Sequence, residues 1–224
     1  MSRFDTEPDR GRSLAALLSS LPDTHPIIAS TLGITADIVV FGYPIFLVRW
    51  YLWDGWTNWT VSSDNKKNQA LTIFFSVLCS MMITIITQLF ATKQRPIWTH
   101  TDRNMTESIL HDYLPSTSFP SDHATVSFAF GISCLLLAYQ TQNIPMIRRG
   151  WLRFGGGLLT SVSRIAIHLH RPTDIVGGFI AALCGSVLIF FLHPWLSHHL
   201  YPLLHSLWTR LYKTGQTLIV KKTS

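Results

Sequence analysis

Long apolar runs almost free of charge dominate this sequence, and such a chain can bury them only in one another or in lipid. Five runs stand out, near Ile27–Trp50, Gln69–Thr92, His123–Tyr139, Trp151–His168 and Pro172–His193. Crossing a hydrocarbon core takes about 20 residues of helix, so the third, the shortest, is expected to extend by a turn into its flanks. Charged residues make up only 13% of the 224, against about 25% in a soluble domain. Mean hydropathy is +0.26. These features predict an all-α fold: a polytopic membrane helix bundle of about five transmembrane helices in one domain, 1–224.

The flanks complete that picture. Trp50, Tyr51, Trp53, Trp56 and Trp59 gather after the first run, as aromatic residues do at a membrane interface. Gly155, Gly156 and Gly157 in the fourth run permit close helix packing. The stretch Ser13–Leu21 is apolar but too short to cross, so 1–26 reads as an interfacial N-terminal segment ahead of a core at 27–193. The stretch Leu200–Val220 mixes apolar residues with Arg210 and Lys213. It reads as a surface helix in an amphipathic, basic tail, 194–224, rather than as a sixth crossing. The opening MSRFDTEPDRGR lacks the pattern of a signal peptide, so the first apolar run is expected to direct insertion. Cys79, Cys134 and Cys184 lie inside apolar runs without metal-type spacing, which suits packing better than a disulfide framework.

The net charge of +6 comes without a basic stripe interleaved with aromatics, so no nucleic-acid partner is expected. Membrane lipids and an anionic substrate account for it better. Five crossings place Arg3, Arg10, Arg12, Lys93, Arg95, Arg103, Arg164 and Arg171 on one side. The other side holds Arg49, Lys66, Lys67, Arg148, Arg149, Arg153, Arg210, Lys213, Lys221 and Lys222. With ten against eight, the positive-inside rule puts the second side in the cytoplasm.

Ionisable residues at span ends are costly and mark functional sites by default. Three clusters fall on the same side: Arg95-Pro96, Pro120-Ser121-Asp122-His123, and Ser163-Arg164 through His170 to Asp174. Two arginines offer forks suited to phosphate oxygens. Ser121 and the amides after it open a helix, where unpaired N–H groups favour an anion. Two histidines can supply a nucleophile and a proton donor, and a carboxylate can fix an imidazole tautomer. On a continuous helix His168 shares the face of Arg164 and His170 does not, although Pro172 suggests that the chain turns near His170.

The motifs resemble those of the type 2 phosphatidic acid phosphatase family, related to the vanadium haloperoxidases: Lys-x6-Arg-Pro, Pro-Ser-Gly-His and Ser-Arg-x5-His-x3-Asp. Here they stand as QLFATKQRP from Gln88, PSDH from Pro120 and SRIAIHLHRPTD from Ser163, the last complete in order and spacing. The resemblance implies His170 as nucleophile, Asp174 as its orienting partner, and His123 as the acid that protonates the leaving oxygen. It implies Arg95, Arg164 and Ser121 as phosphate ligands, with no metal and no other cofactor. The choice of His170 over His168 rests on this match.

Two positions depart from the pattern. Gln88 stands at the motif lysine, for which Lys93 or Arg103 could substitute, and Asp122 replaces a glycine. An acid in the first turn of a helix is favoured by the dipole, so Asp122 reads as a cap or as a neighbour of the phosphate. The PSDH variant and an Asp-bearing first span (Asp37) are similar to the bacitracin-resistance branch, which hydrolyses undecaprenyl diphosphate. Asp37 itself reads equally as a structural ion-pair residue. The resemblance implies a bacterial inner-membrane enzyme with its site facing the periplasm or exterior. Competing substrates are phosphatidylglycerophosphate, phosphatidate and lipid A phosphates, with lipid phosphotransfer a further option. A lipid-binding protein or transporter is the alternative outside enzymes.

Overall fold

A computed structural model describes residues 25–54, 60–61, 63–91, 117–167 and 169–223. Five long helices carry the fold: α1 (Pro26–Leu52), α2 (Asp64–Phe90), α3 (Asp122–Gln140), α4 (Ile144–Ala166) and α5 (Pro172–Thr223). A two-residue antiparallel pair, β1 (Trp53–Asp54) and β2 (Thr60–Val61), follows α1. The all-α bundle expected from the apolar runs is what forms. The N-terminal segment 1–24 and the connection 92–116 lie outside the described residues.

Among the described residues, four helices are long and apolar enough to cross a membrane: Thr31–Leu52 within α1, Asp64–Phe90, Asp122–Gln140 and Pro172–Arg210 within α5. This is a multi-pass membrane protein. Exposed side chains such as Ile38, Phe41, Ile45, Phe74, Ile180 and Phe191 face outward, as lipid contact requires.

The fifth helix, α4, is not in that apolar set, and it begins well before the expected Trp151. Asn143 caps it, accepting from Met146 N at 3.0 Å, and Pro145 sits in its first turn. Arg148, Arg149 and Arg153 therefore ride on the helix. The Arg153 guanidinium lies 4.4 Å from the Phe46 ring centroid and 5.4 Å from that of Trp50, a setting in which aromatic faces stabilise a cation.

The tail also differs from expectation. No break occurs near residue 194, and α5 runs for 52 residues with Pro194 and Pro202 inside it. At 1.5 Å per residue it is roughly 78 Å long, far beyond a hydrocarbon core of about 30 Å. Its distal part is tied down by side chains. Thr72 Oγ1 is 2.9 Å from His193 Nδ1 and 3.0 Å from Tyr201 Oη. His205 bridges Tyr51 Oη at 2.7 Å and Asn68 Oδ1 at 2.9 Å.

Helix contact rests on small residues. The buried face of α2 is Ala70, Thr72, Ile73, Ser76, Ser80 and Thr84. A Cβ on Gly185 of α5 would stand 2.5 Å from Ser80 N, and one on Gly131 of α3 would stand 2.8 Å from Phe154 Cα of α4. Backbones that close leave no space for anything larger than glycine. Phe130, Cys134, Leu137 and Met146 form the core between α3 and α4, with Tyr43 stacked on Phe130 at 4.4 Å. Cys134 is buried as expected, whereas Cys184 is exposed on the outer face of α5.

Candidate active site

The start of α3, the end of α4 and the start of α5 meet at one end of the bundle. Ser121 caps α3, its hydroxyl accepting from Ala124 N at 3.5 Å, and its own amide donates to the Asp174 carbonyl at 3.0 Å. The α3 terminus is thus fastened to the first turn of α5. Gly178 makes this possible, since a Cβ there would lie 2.8 Å from the Ser121 carbonyl oxygen.

After Ala166 the chain reverses over the end of α4. The Arg164 carbonyl accepts from Leu169 N at 3.1 Å and from His170 N at 3.3 Å. The reversal folds His170 inward, where it is 4% exposed. His170 Nδ1 lies 2.9 Å from the Ser118 carbonyl oxygen and 3.8 Å from Asp174 Oδ2. The carbonyl can only accept, so Nδ1 carries the proton and Nε2 the lone pair. Asp174 is fully buried, and its Oδ2 also accepts from Arg171 N at 2.8 Å, closing the first turn of α5. The helix α4 ends at Ala166, and His168, read as sharing the face of Arg164, lies outside the described residues.

Across from this pair, Arg164 and His123 meet on α1. Asp37 Oδ1 accepts from Arg164 Nη2 and lies 3.0 Å from His123 Nε2. The Arg164 side chain is 5% exposed and that of His123 29%. Arg164 Nε is buried and has no hydrogen-bond partner among the described residues, so one strong donor is held in reserve. A buried guanidinium is tolerable in such a site because the carboxylate pairs with it.

His170, Asp174, Ser121, His123 and Arg164 are therefore brought to one end of the bundle. Asp122 stands beside them but turns to α2, accepting from Gln88 Nε2 at 2.6 Å. Arg95, Lys93 and Arg103 lie outside the described residues. Ser118 carries no signal in the sequence, because a backbone carbonyl leaves no residue signature. Asp37 stands out in the sequence as an acid inside an apolar run, but nothing in its spacing ties it to His123 or Arg164.

The set can hold an anion between an arginine and a helix terminus, with one imidazole on either side. The family model of the PAP2 superfamily matches residues 69–197, which includes α3, the reversal and most of α2. The chain belongs to the PAP2 superfamily.

Curated relatives bear on the membership too. "Putative undecaprenyl-diphosphatase YbjG" of Escherichia coli K12 is 26% identical over 210 residues, 89% of this chain and 90% of that protein. "Undecaprenyl-diphosphatase BcrC" of Bacillus subtilis 168 is 28% identical over 135 residues, 59% of this chain and 62% of that one. "Bacitracin transport permease protein BcrC" of Bacillus licheniformis is 26% identical over 119 residues, 53% of this chain and 51% of that one. No solved structure matches the chain.

Proposed function

We propose that this PAP2 protein hydrolyses undecaprenyl diphosphate to undecaprenyl phosphate through a phosphohistidine on His170. Its family and its relatives make it a membrane lipid phosphatase. The names of two of those relatives, both undecaprenyl-diphosphatases, support the diphosphate substrate. The observation that carries the mechanism is the setting of His170: buried, with Nδ1 held 2.9 Å from the Ser118 carbonyl and the Asp174 carboxylate close behind. That setting fixes the tautomer a nucleophilic Nε2 needs.

In the first step Nε2 of His170 attacks the terminal phosphorus in line. The bond from phosphorus to the bridging oxygen breaks, and His123 gives that oxygen a proton. In the second step His123 takes a proton from water, the water attacks phosphorus, and the bond to Nε2 breaks with release of inorganic phosphate. Arg164 and Arg95 hold the equatorial oxygens, where charge is spread in a loose phosphoryl transition state. The buried Nε of Arg164 is a donor suited to that task. Ser121 and the first amides of α3 add a helix terminus.

On this reading the site end faces the periplasm or exterior of a bacterial inner membrane, and the α3–α4 turn faces the cytoplasm. The test is a phosphate-release panel on detergent-solubilised protein with excess EDTA present, over undecaprenyl diphosphate, phosphatidylglycerophosphate, phosphatidate and phosphorylated lipid A. The expected result is undisturbed turnover, fastest with the polyprenyl diphosphate. Preference for a glycerophospholipid would reassign the substrate, and activity restored only by magnesium would remove the mechanism.

A further inference from the structure

The phosphohistidine reading uses His123 as acid and then as base, and leaves open what holds its ring. His170 has a carbonyl and a carboxylate for that purpose. His123 has Asp37, which reaches it from a different helix, 86 residues away in sequence. We propose that Asp37 is the positioning residue of the proton-transfer histidine, so that the site contains two imidazole–carboxylate pairs: His170 with Asp174 for attack, His123 with Asp37 for proton transfer.

The geometry supports the pairing in three ways. Asp37 Oδ1 is 3.0 Å from His123 Nε2, so a proton on Nε2 is held by the carboxylate and Nδ1 becomes the nitrogen that exchanges protons with the substrate. This is how a carboxylate serves an imidazole in hydrolytic triads, by fixing ring and tautomer without itself taking the proton. The same oxygen also accepts from Arg164 Nη2. A single atom of α1 thus sets the direction of both the acid and a phosphate-binding fork. Lastly, an acid within an apolar span is expensive unless it is used, and Asp37 is the acid of α1 between Pro26 and Leu52. Its side chain is 46% exposed, so full burial in a structural ion pair is not what keeps it there.

The proton account closes. Imidazolium His123 gives the Nδ1 proton to the leaving oxygen and becomes the neutral Nε2–H tautomer on Asp37. It then takes a proton from water at Nδ1 and returns to the start. The inference rests on the reading above, so its test separates the two. Para-nitrophenyl phosphate has a leaving group that needs no proton; a short alkyl phosphate has one that does. In the full-length protein, Asp37→Asn is expected to lower alkyl phosphate turnover by about 10²-fold or more, the scale of general acid assistance. With para-nitrophenyl phosphate it should still release about one equivalent of nitrophenol in a burst, then stall for want of a base. A change in Arg164 alignment lowers kcat/KM for both substrates alike and does not blur this contrast. Loss of the burst along with alkyl turnover would overturn the proposal, as would wild-type turnover of both. His170→Ala, run in parallel, reports on the other reading: a surviving burst there removes the phosphohistidine while the leaving-group contrast at Asp37 stands or falls separately.

Discussion

The amide nitrogen of Gln88 donates to the Asp122 carboxylate at 2.6 Å and to the Pro120 carbonyl at 3.1 Å. These are the two positions at which the chain leaves the motif pattern, and they compensate each other. A glycine at 122 would give residue 88 no partner there; an aspartate gives it a strong acceptor. The pair joins the end of α2 to the start of α3, beside His123.

Gln88→Ala and Asp122→Ala should therefore be non-additive. A hydrogen bond to a charged group contributes about 1.5–3 kcal/mol, so a double-mutant cycle on unfolding in detergent should return a coupling of about 1–2 kcal/mol. Gln88→Lys should keep activity within a few-fold, because an ammonium can meet the same carboxylate. A coupling near zero would mean that the pair does not form in the membrane protein.

Gly178→Ala should lower activity without touching any reacting group. Its Cβ would meet the Ser121 carbonyl at 2.8 Å and Thr125 N at 3.2 Å, both backbone atoms that cannot turn aside. Overpacking of this kind costs about 1–3 kcal/mol, and a shift of His123 by about 1 Å can cost on the order of 10² in rate. Gly155→Ala, where a Cβ meets nothing within 4 Å, is the control and should behave as wild type. Equal behaviour of the two variants would refute the close approach.

His170→Ala should abolish covalent phosphate labelling, read by mass spectrometry of the quenched enzyme under conditions that preserve phosphohistidine. Asp174→Asn should retain weakened labelling, because the Ser118 carbonyl still holds Nδ1 at 2.9 Å. Asparagine can also still accept from Arg171 N, so the first turn of α5 should survive. Phosphate found on residue 168 would move the nucleophile.

Much of the fold was legible because length and hydropathy are local properties. The ends of α1 and α3 fall within about two residues of the apolar runs that predict them. The start of α4 was not found, since Arg148 and Arg149 read as loop, although Asn143 followed by Pro145 is a helix-start signal. Continuation of α5 past Pro194 was not legible either, because the ties from Thr72 and Asn68 are tertiary. The same limit applies at the site. Motif spacing leads to His170, yet its burial depends on a reversal over the Arg164 carbonyl, and the reach of Asp37 to Arg164 spans 127 residues.

Topology is open to direct test. A single cysteine at position 105 should react with an impermeant thiol reagent in intact cells, and one at position 145, in the first turn of α4, should react only after lysis. The reverse pattern would place the site in the cytoplasm.

Four hydroxyls along α2 bear on how such a protein assembles. Thr72 donates to the Asn68 carbonyl, Ser76 to Thr72, Ser80 to Ser76 and Thr87 to Ile83, each at 2.7–2.8 Å and each four residues back. Each of these four hydroxyls brings its own acceptor, so none of them needs a neighbouring helix when it leaves water; buried Thr84 differs, its hydroxyl meeting that of Thr125 on α3 at 2.9 Å. Insertion of α2 can then precede assembly, which is decided afterwards by the fit of surfaces. An isolated peptide covering Asp64–Phe90 should enter vesicles as a stable helix, and acquire its partners only when the other spans arrive.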